Sequence, residues 1–70
     1  MKLIITDSVK NEVNNFKAKV LPLINKINID FEIGYCLRRL NECCDDIHLY
    51  TYYNMCICFL RGQKHYLQAK

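Results

Sequence analysis

Five cysteines and two histidines are the residues of this 70-residue chain best suited to bind zinc or to act as a nucleophile and its base. Tetrahedral zinc needs four such ligands converging on one point. A cysteine nucleophile or redox thiol needs a nearby base or positive charge to stabilise its thiolate. The chemistry open to these residues is therefore zinc binding, thiol redox or covalent catalysis. They are Cys36, Cys43, Cys44, Cys56, Cys58, His48 and His65.

The spacing of the cysteines does not fit a structural zinc site. Such sites pair their ligands as Cys-x₂₋₄-Cys and His-x₃₋₅-His, whereas this chain has an adjacent pair and a Cys-x-Cys. On a helix, residues one and two apart diverge by about 100° and 200° around the axis. Cys44 and His48 can chelate from one helical face, with Cys58 or Cys36 as a further ligand. We keep Cys44, His48 and Cys58 as minority metal candidates but predict no metal and no cofactor, with the cysteines packed as small hydrophobes.

No arrangement of residues points to catalysis. The chain has no glycine-rich phosphate loop and no nucleophile elbow, and neither histidine is paired with a particular cysteine by the sequence. The acidic pair Asp45 and Asp46 is more typical of a helix boundary than of a catalytic dyad. We therefore predict no enzymatic activity and no catalytic residues.

Three tyrosines lie close together at residues 50 to 53. Tyr50, Tyr52 and Tyr53 point in different directions from either a helix or a strand, so one element of a small domain cannot bury all of them. Tyrosine at a partly apolar surface is typical of protein interfaces. We predict that these three residues bind a partner protein.

The basic residues indicate an alternative function, nucleic-acid binding. The net charge is +3 and the pI is about 8.6, which is mild for a nucleic-acid-binding domain, and the basic residues are scattered. An alternative function is nonetheless a small nucleic-acid-binding protein, in which an exposed tyrosine stacks on a base. The candidate phosphate contacts are Arg38, Arg39, Arg61, Lys64 and His65.

The first element that must position these residues is an amphipathic helix. Asp7 and Ser8 are N-cap candidates for a helix that begins near Val9. Pro22 lacks an amide donor and clashes with the preceding turn, so we expect a kink or a break near Leu21. Apolar residues recur at 4-3-4-3-4 spacing on one face, at Val9, Val13, Phe16, Val20, Leu23 and Ile27.

A second helix is predicted over about residues 31 to 45. Asp30 is its N-cap candidate, and the acidic pair at 45 and 46 ends it and caps the next element. A connection this short favours an antiparallel helical hairpin. The predicted apolar seam is Ile33, Leu37, Leu40, Cys44 and Ile47.

Residues 47 to 60 fit two patterns. Their content of Tyr, Ile, Thr and Phe and their apolar alternation favour a strand. The apolar alternation stops at Arg61, whereas a polar stripe at helical spacing continues beyond residue 60. We therefore predict a helix, with Gly62 as an interior residue or a C-terminal stop. The alternative is an α+β fold with a small antiparallel sheet from residues 2–6, 47–60 and 64–69. The stripe consists of His48, Thr51, Asn54, Cys58, Arg61, His65 and Gln68.

The segment "FEIGYCLRRLNECCDDIHLYTYYNMCICFLRGQKHYLQA" resembles a tetratricopeptide helical pair. In such a pair a Gly-Tyr helix is followed by a Tyr-Tyr-Asn helix that ends near a glycine. Bulkier residues replace the small alanines at the helix crossings, and the unit occurs once where stability needs about three. The resemblance implies helix at residues 47 to 60.

These elements predict an all-α fold, a small three-helix domain that spans residues 1–70 and has a kinked first helix. Chains this small usually need disulfides, a metal, a partner or a second copy of themselves. No secretion signal or membrane span is apparent, so we expect a reducing cytosol and unpaired thiols.

The predicted function is therefore a protein-protein interaction module, an adaptor, inhibitor or regulatory protein that binds a partner or forms a homodimer. Its richness in Asn, Ile, Lys and Tyr suits a viral or phage accessory protein that blocks a host factor. A third alternative is a zinc- or thiol-dependent switch.

Overall fold

Three α-helices make up the fold. The computed structural model describes residues 3 to 69, with α1 at Asp7–Val20, α2 at Ile29–Glu42 and α3 at Ile47–Ala69. The predicted three-helix fold and its helical hairpin, α2 with α3, are confirmed. Residues 3 to 69 contain no strand, so the alternative sheet is absent there, and residue 2, at its start, lies outside the described residues.

The N-terminus of α1 is capped by Thr6. Its hydroxyl oxygen accepts a hydrogen bond from the amide of Val9 at 3.2 Å, and its backbone is extended. The prediction that Asp7 or Ser8 is the cap was wrong, because the helix already includes both residues. In the first turn, the Asp7 carboxylate lies near the positive end of the helix dipole, where a negative charge is stabilising.

Pro22 breaks the first helix as predicted. Helix α1 ends at Val20, and the chain continues as one 3₁₀ turn, Leu21–Leu23. The predicted apolar seam follows the core as far as Val20, but Leu23 is exposed. The seam fails there because the chain has left the helix, so helical spacing no longer determines which side chains face the core.

Helix α2 begins and ends two to three residues earlier than predicted. The cap is Asn28, whose side-chain oxygen accepts from the amide of Phe31 at 3.1 Å. Asp30, the predicted cap, lies inside the helix, and its carboxylate instead accepts a hydrogen bond from Lys64 of α3.

The face of α2 that meets the core differs from the predicted seam. Cys36 is fully buried, whereas Leu37 is 39% exposed and Cys44 lies beyond the helix in an exposed turn. One residue corresponds to about 100° around a helix, so exchanging Leu37 for Cys36 rotates the contact face. The core-facing residues of α2 are Ile29, Ile33, Cys36 and Leu40.

Helix α3 is capped by Asp46, as predicted. One carboxylate oxygen of Asp46 accepts from the amides of His48 and Leu49, at 3.1 and 3.3 Å. The helix then runs for 23 residues and includes Gly62 as an interior residue. Residues 47 to 60 are thus helical, and the strand pattern in this segment was misleading. No described helix is long and apolar enough to cross a membrane.

The core lies along α3. This helix packs against both α1 and α2, whereas the backbones of α1 and α2 do not approach each other closely within residues 3 to 69. The buried centre is Cys36 of α2 with Cys56, Ile57 and Leu60 of α3. Side chains packed around it are Phe16 and Val20 of α1, Ile29, Ile33 and Leu40 of α2, and Tyr52, Tyr53 and Phe59 of α3.

The segment before α1 is attached to α3 by one hydrogen bond. The amide of Ile4 donates to the hydroxyl of Thr51, which is fully buried although it belongs to the predicted polar stripe. A second link joins α1 to α3 through the edge-to-face rings of Phe16 and Phe59, 6.2 Å apart. Thr51 is buried without penalty because its hydroxyl has a hydrogen-bond partner.

Replacing Leu60 by alanine tests the position of the core. We expect Leu60→Ala to lower the free energy of unfolding by about 2–5 kcal/mol, since it leaves a cavity at a fully buried site. The matched control Leu37→Ala removes the same atoms from an exposed position and should cost less than about 1 kcal/mol. Urea unfolding followed by circular dichroism measures both values, and equal losses would contradict the observed core.

Candidate interaction surface

The minority metal candidates do not converge. Cys44 lies in the turn between α2 and α3, so the assumption that it shares a helical face with His48 was wrong. The His48 ring bonds instead to the carboxylate of Glu12 on α1, and the Cys44 thiol donates to Asp45 at 3.3 Å. Cys58 is exposed on α3. In the described part of the chain, no three His, Cys, Asp or Glu side chains are grouped so that they could hold a metal ion.

Burial keeps the core thiols protonated. Desolvation raises the pKa of the Cys56 thiol to about 12, and it also raises the pKa of Cys36, where the charge of Glu32 adds to the effect. At the exposed Cys44, the hydrogen bond to Asp45 raises the thiol pKa. Because the thiolate is the reactive form of cysteine, none of these three residues is activated for nucleophilic attack.

The three tyrosines predicted to bind a partner are half-buried. Tyr52 and Tyr53 pack against the core, with their ring centroids 5.0 Å apart in an edge-to-face arrangement. Desolvation raises the pKa of Tyr52, and the Tyr53 hydroxyl accepts a hydrogen bond from Arg39 at 3.4 Å. Tyr50 is likewise half-buried. Their role in binding stays a prediction, but much of their surface is already covered within the chain.

Two of the basic residues proposed to contact phosphate are engaged within the chain. Arg39 pairs with Glu42 at 2.9 Å as well as bonding to Tyr53, and Lys64 pairs with Asp30. The others, Arg38, Arg61 and His65, are exposed. Phosphate contacts by Arg39 and Lys64 would therefore replace existing interactions.

More exposed aromatic side chains, which the sequence-based prediction did not include, lie on α2. Phe31 is 69% exposed and Tyr35 is 47% exposed. Phe31 follows the core-facing Ile29 by two residues, which places it about 200° around the helix, and Tyr35 lies one turn further along the same side. The signal was available, because the predicted seam also places both residues on the outward side.

Two further residues complete this side of α2. Gly34 is exposed, and a Cβ placed on it would meet no atom within 4 Å. Arg38 is exposed, and its guanidinium group has no hydrogen bond or ion pair to any residue from 3 to 69. We call the surface formed by Phe31, Gly34, Tyr35 and Arg38 the outer face of α2.

A groove of about 360 Å³ lies between α1 and α3. Lys17 is placed on one side, with its ammonium group 5.6 Å from the centre of the Phe59 ring. A small-molecule site normally combines an apolar wall with several polar groups aimed at the ligand, and few polar side chains line this groove. The lining consists of Leu3, Val13, Lys17, Asn54, Met55, Cys58 and Phe59.

No protein-family model, curated protein or solved structure matches this chain. The function must therefore be argued from the surface itself.

Thiol labelling tests the placement of the cysteines. We expect iodoacetamide to modify Cys44 and Cys58 in the native protein and to modify Cys36 and Cys56 only after unfolding in urea, because the latter pair is buried. Peptide mass spectrometry gives the rate at each site. Native rates at Cys36 and Cys56 that match those of the exposed pair would contradict the observed packing.

Alkaline pH should destabilise the fold through Cys56. The unfolded chain loses this thiol proton near pH 9 and the folded chain near pH 12, so stability falls as pH rises between these values. The loss of stability relative to pH 8 should be smaller in Cys56→Ala than in wild type. The exposed control Cys58→Ala should lose as much as wild type, and thermal unfolding at each pH gives the comparison.

Proposed function

We propose that this protein binds another polypeptide through the outer face of α2 and has no enzymatic activity. The observation that carries the proposal is the exposure of Phe31 and Tyr35, 69% and 47%, on the side of α2 that faces away from the core. Aromatic side chains are enriched at protein interfaces, and truncating them there often causes large losses of affinity. Two of them one helical turn apart form a ready anchor for a partner.

The two rings form a small aromatic patch. If a fully exposed aromatic side chain has about 200 Å², Phe31 and Tyr35 together expose roughly 230 Å². The largest apolar patch on a typical monomer has about 300–600 Å², so the type and spacing of these side chains, and not their area, mark the site. Gly34 lies beside the two rings and lets a partner approach the helix closely.

The chemistry of the thiols argues against catalysis. Three cysteines have raised pKa values, and the His48 ring is paired with Glu12 rather than with a thiol. The groove between α1 and α3 also lacks the set of polar groups that a reaction would need.

An interaction protein of this size acts as an adaptor, an inhibitor or a regulatory protein. Its size and its content of Asn, Ile, Lys and Tyr are compatible with a viral or phage accessory protein that blocks a host factor. Five unbridged cysteines suit the reducing cytosol.

Positive charge placed on the outer face of α2 should abolish binding. We expect the double variant Phe31→Arg/Tyr35→Arg, immobilised and exposed to cell extract or to the purified chain, to retain at most about one-tenth as much bound protein as wild type. The reason is that both substitutions place a guanidinium group where the partner would bury a ring. Quantitative mass spectrometry measures the retained protein.

The control is a double variant with the same charge change on another exposed surface. Ile5→Arg/Leu21→Arg replaces side chains that are 54% and 47% exposed and lie outside α2. It should retain as much protein as wild type. If the α2 variant retains as much as this control, binding does not involve the outer face of α2 and the proposed function fails.

A further inference from the structure

We propose that the partner is a second copy of this chain, with the two α2 helices antiparallel and the two-fold axis passing between Gly34 and Tyr35. This inference rests on the proposed function, because it identifies the polypeptide that the outer face of α2 binds. The outer face of α2 is complementary to itself when the two helices are antiparallel.

The antiparallel arrangement pairs Phe31 with an arginine. When two α2 helices cross between residues 34 and 35, Phe31 faces Arg38 of the second copy, and two-fold symmetry makes this contact occur twice. Gly34 and Tyr35 lie on opposite sides of the outer face, so Gly34 faces Gly34 of the second copy and Tyr35 faces Tyr35 of the second copy. A parallel arrangement would instead oppose the two Arg38 side chains, which repel each other.

The contact between Phe31 and Arg38 is one of charge. A guanidinium group is attracted to the face of an aromatic ring within about 6 Å of its centre. The guanidinium group of Arg38 has no polar partner among residues 3 to 69, and Phe31 is the most exposed large hydrophobic residue that the structure describes. Arg39, by contrast, already lies 5.9 Å from the ring centre of Tyr53 in the same chain.

The contacts of Gly34 and Tyr35 with the second copy depend on shape. Space for a side chain is open above Gly34, so the helix surface has a shallow notch there. Tyr35 projects from the neighbouring position and is half-exposed. In the dimer the two notches face each other, so the missing Cβ atoms let the two backbones come close, and the two tyrosine rings pack together on the other side of the axis.

The size of this face predicts a weak dimer. Helix α2 has 14 residues and is about 21 Å long. If the outer face of α2 covers about one-tenth of the 4987 Å² accessible surface, each copy buries about 500 Å². The total for the two copies is then about 1,000 Å², which is at the low end for specific complexes. The expected Kd is therefore micromolar or weaker.

Three variants test the pairing of Phe31 with Arg38 by sedimentation equilibrium from micromolar to millimolar concentration. Phe31→Glu should still dimerise because the new carboxylate faces Arg38 of the second copy. Phe31→Arg places two cations together and should raise Kd at least about tenfold above that of Phe31→Glu. The double variant Phe31→Arg/Arg38→Glu reverses the pair and should restore Kd to within about threefold of Phe31→Glu.

A glycine substitution tests the notch. Gly34→Leu fills it and should raise the dimer Kd at least about tenfold, while raising the unfolding midpoint because leucine favours helix more than glycine does. Gly62→Leu is the matched control, an interior helical glycine with equally open space above it. It should raise the unfolding midpoint and leave Kd unchanged, so the two effects separate.

Two results would overturn the dimer. One is a wild-type chain that stays monomeric up to millimolar concentration, and the other is an equal Kd for Phe31→Glu and Phe31→Arg. If the wild-type chain is monomeric but retains a different protein through Phe31 and Tyr35, the dimer is wrong and the proposed function stands. If retention does not depend on these residues either, both fail.

Discussion

Helix α3 holds the other two helices in one fold, because in the described part of the chain the backbones of α1 and α2 do not pack against each other. It must therefore be apolar on two sides, one for each neighbour, and among residues 47 to 60 only Cys58 is exposed. The buried residues Cys56, Ile57 and Leu60 lie at the centre of this arrangement. The same requirement explains why the sequence of α3 has the high content of apolar and aromatic residues that is also typical of a strand.

The position of α2 follows from this arrangement and leaves its far side uncovered. A helix that contacts a single neighbour buries one stripe, here Ile29, Ile33, Cys36 and Leu40. Phe31 and Tyr35 lie on the opposite side, where the rest of residues 3 to 69 covers them only in part. The thin core and the exposed aromatic face thus have the same structural origin.

The cysteines contribute volume more than reactivity to this fold. Cys36 and Cys56 occupy the buried contact between α2 and α3, where their size suits close packing of the helices and desolvation keeps their thiols neutral. The polar links that join the helices are made by other residues, as in the pairs of Glu12 with His48 and Asp30 with Lys64. Both pairs are partly exposed, so packing contributes most of the stability.

The sequence by itself determined two helix boundaries, the end of α1 before Pro22 and the start of α3 after Asp46. In each case one residue is responsible, and its effect on the backbone acts within a single turn of the chain. The polar spacing that continues past Arg61 likewise predicted helix for residues 47 to 60. That Thr6 caps α1 in place of Asp7 or Ser8, and that Cys36 and not Leu37 faces the core, was decided only by the tertiary structure. Burial depends on where the neighbouring helix lies, and helical spacing alone does not fix that position to better than one residue.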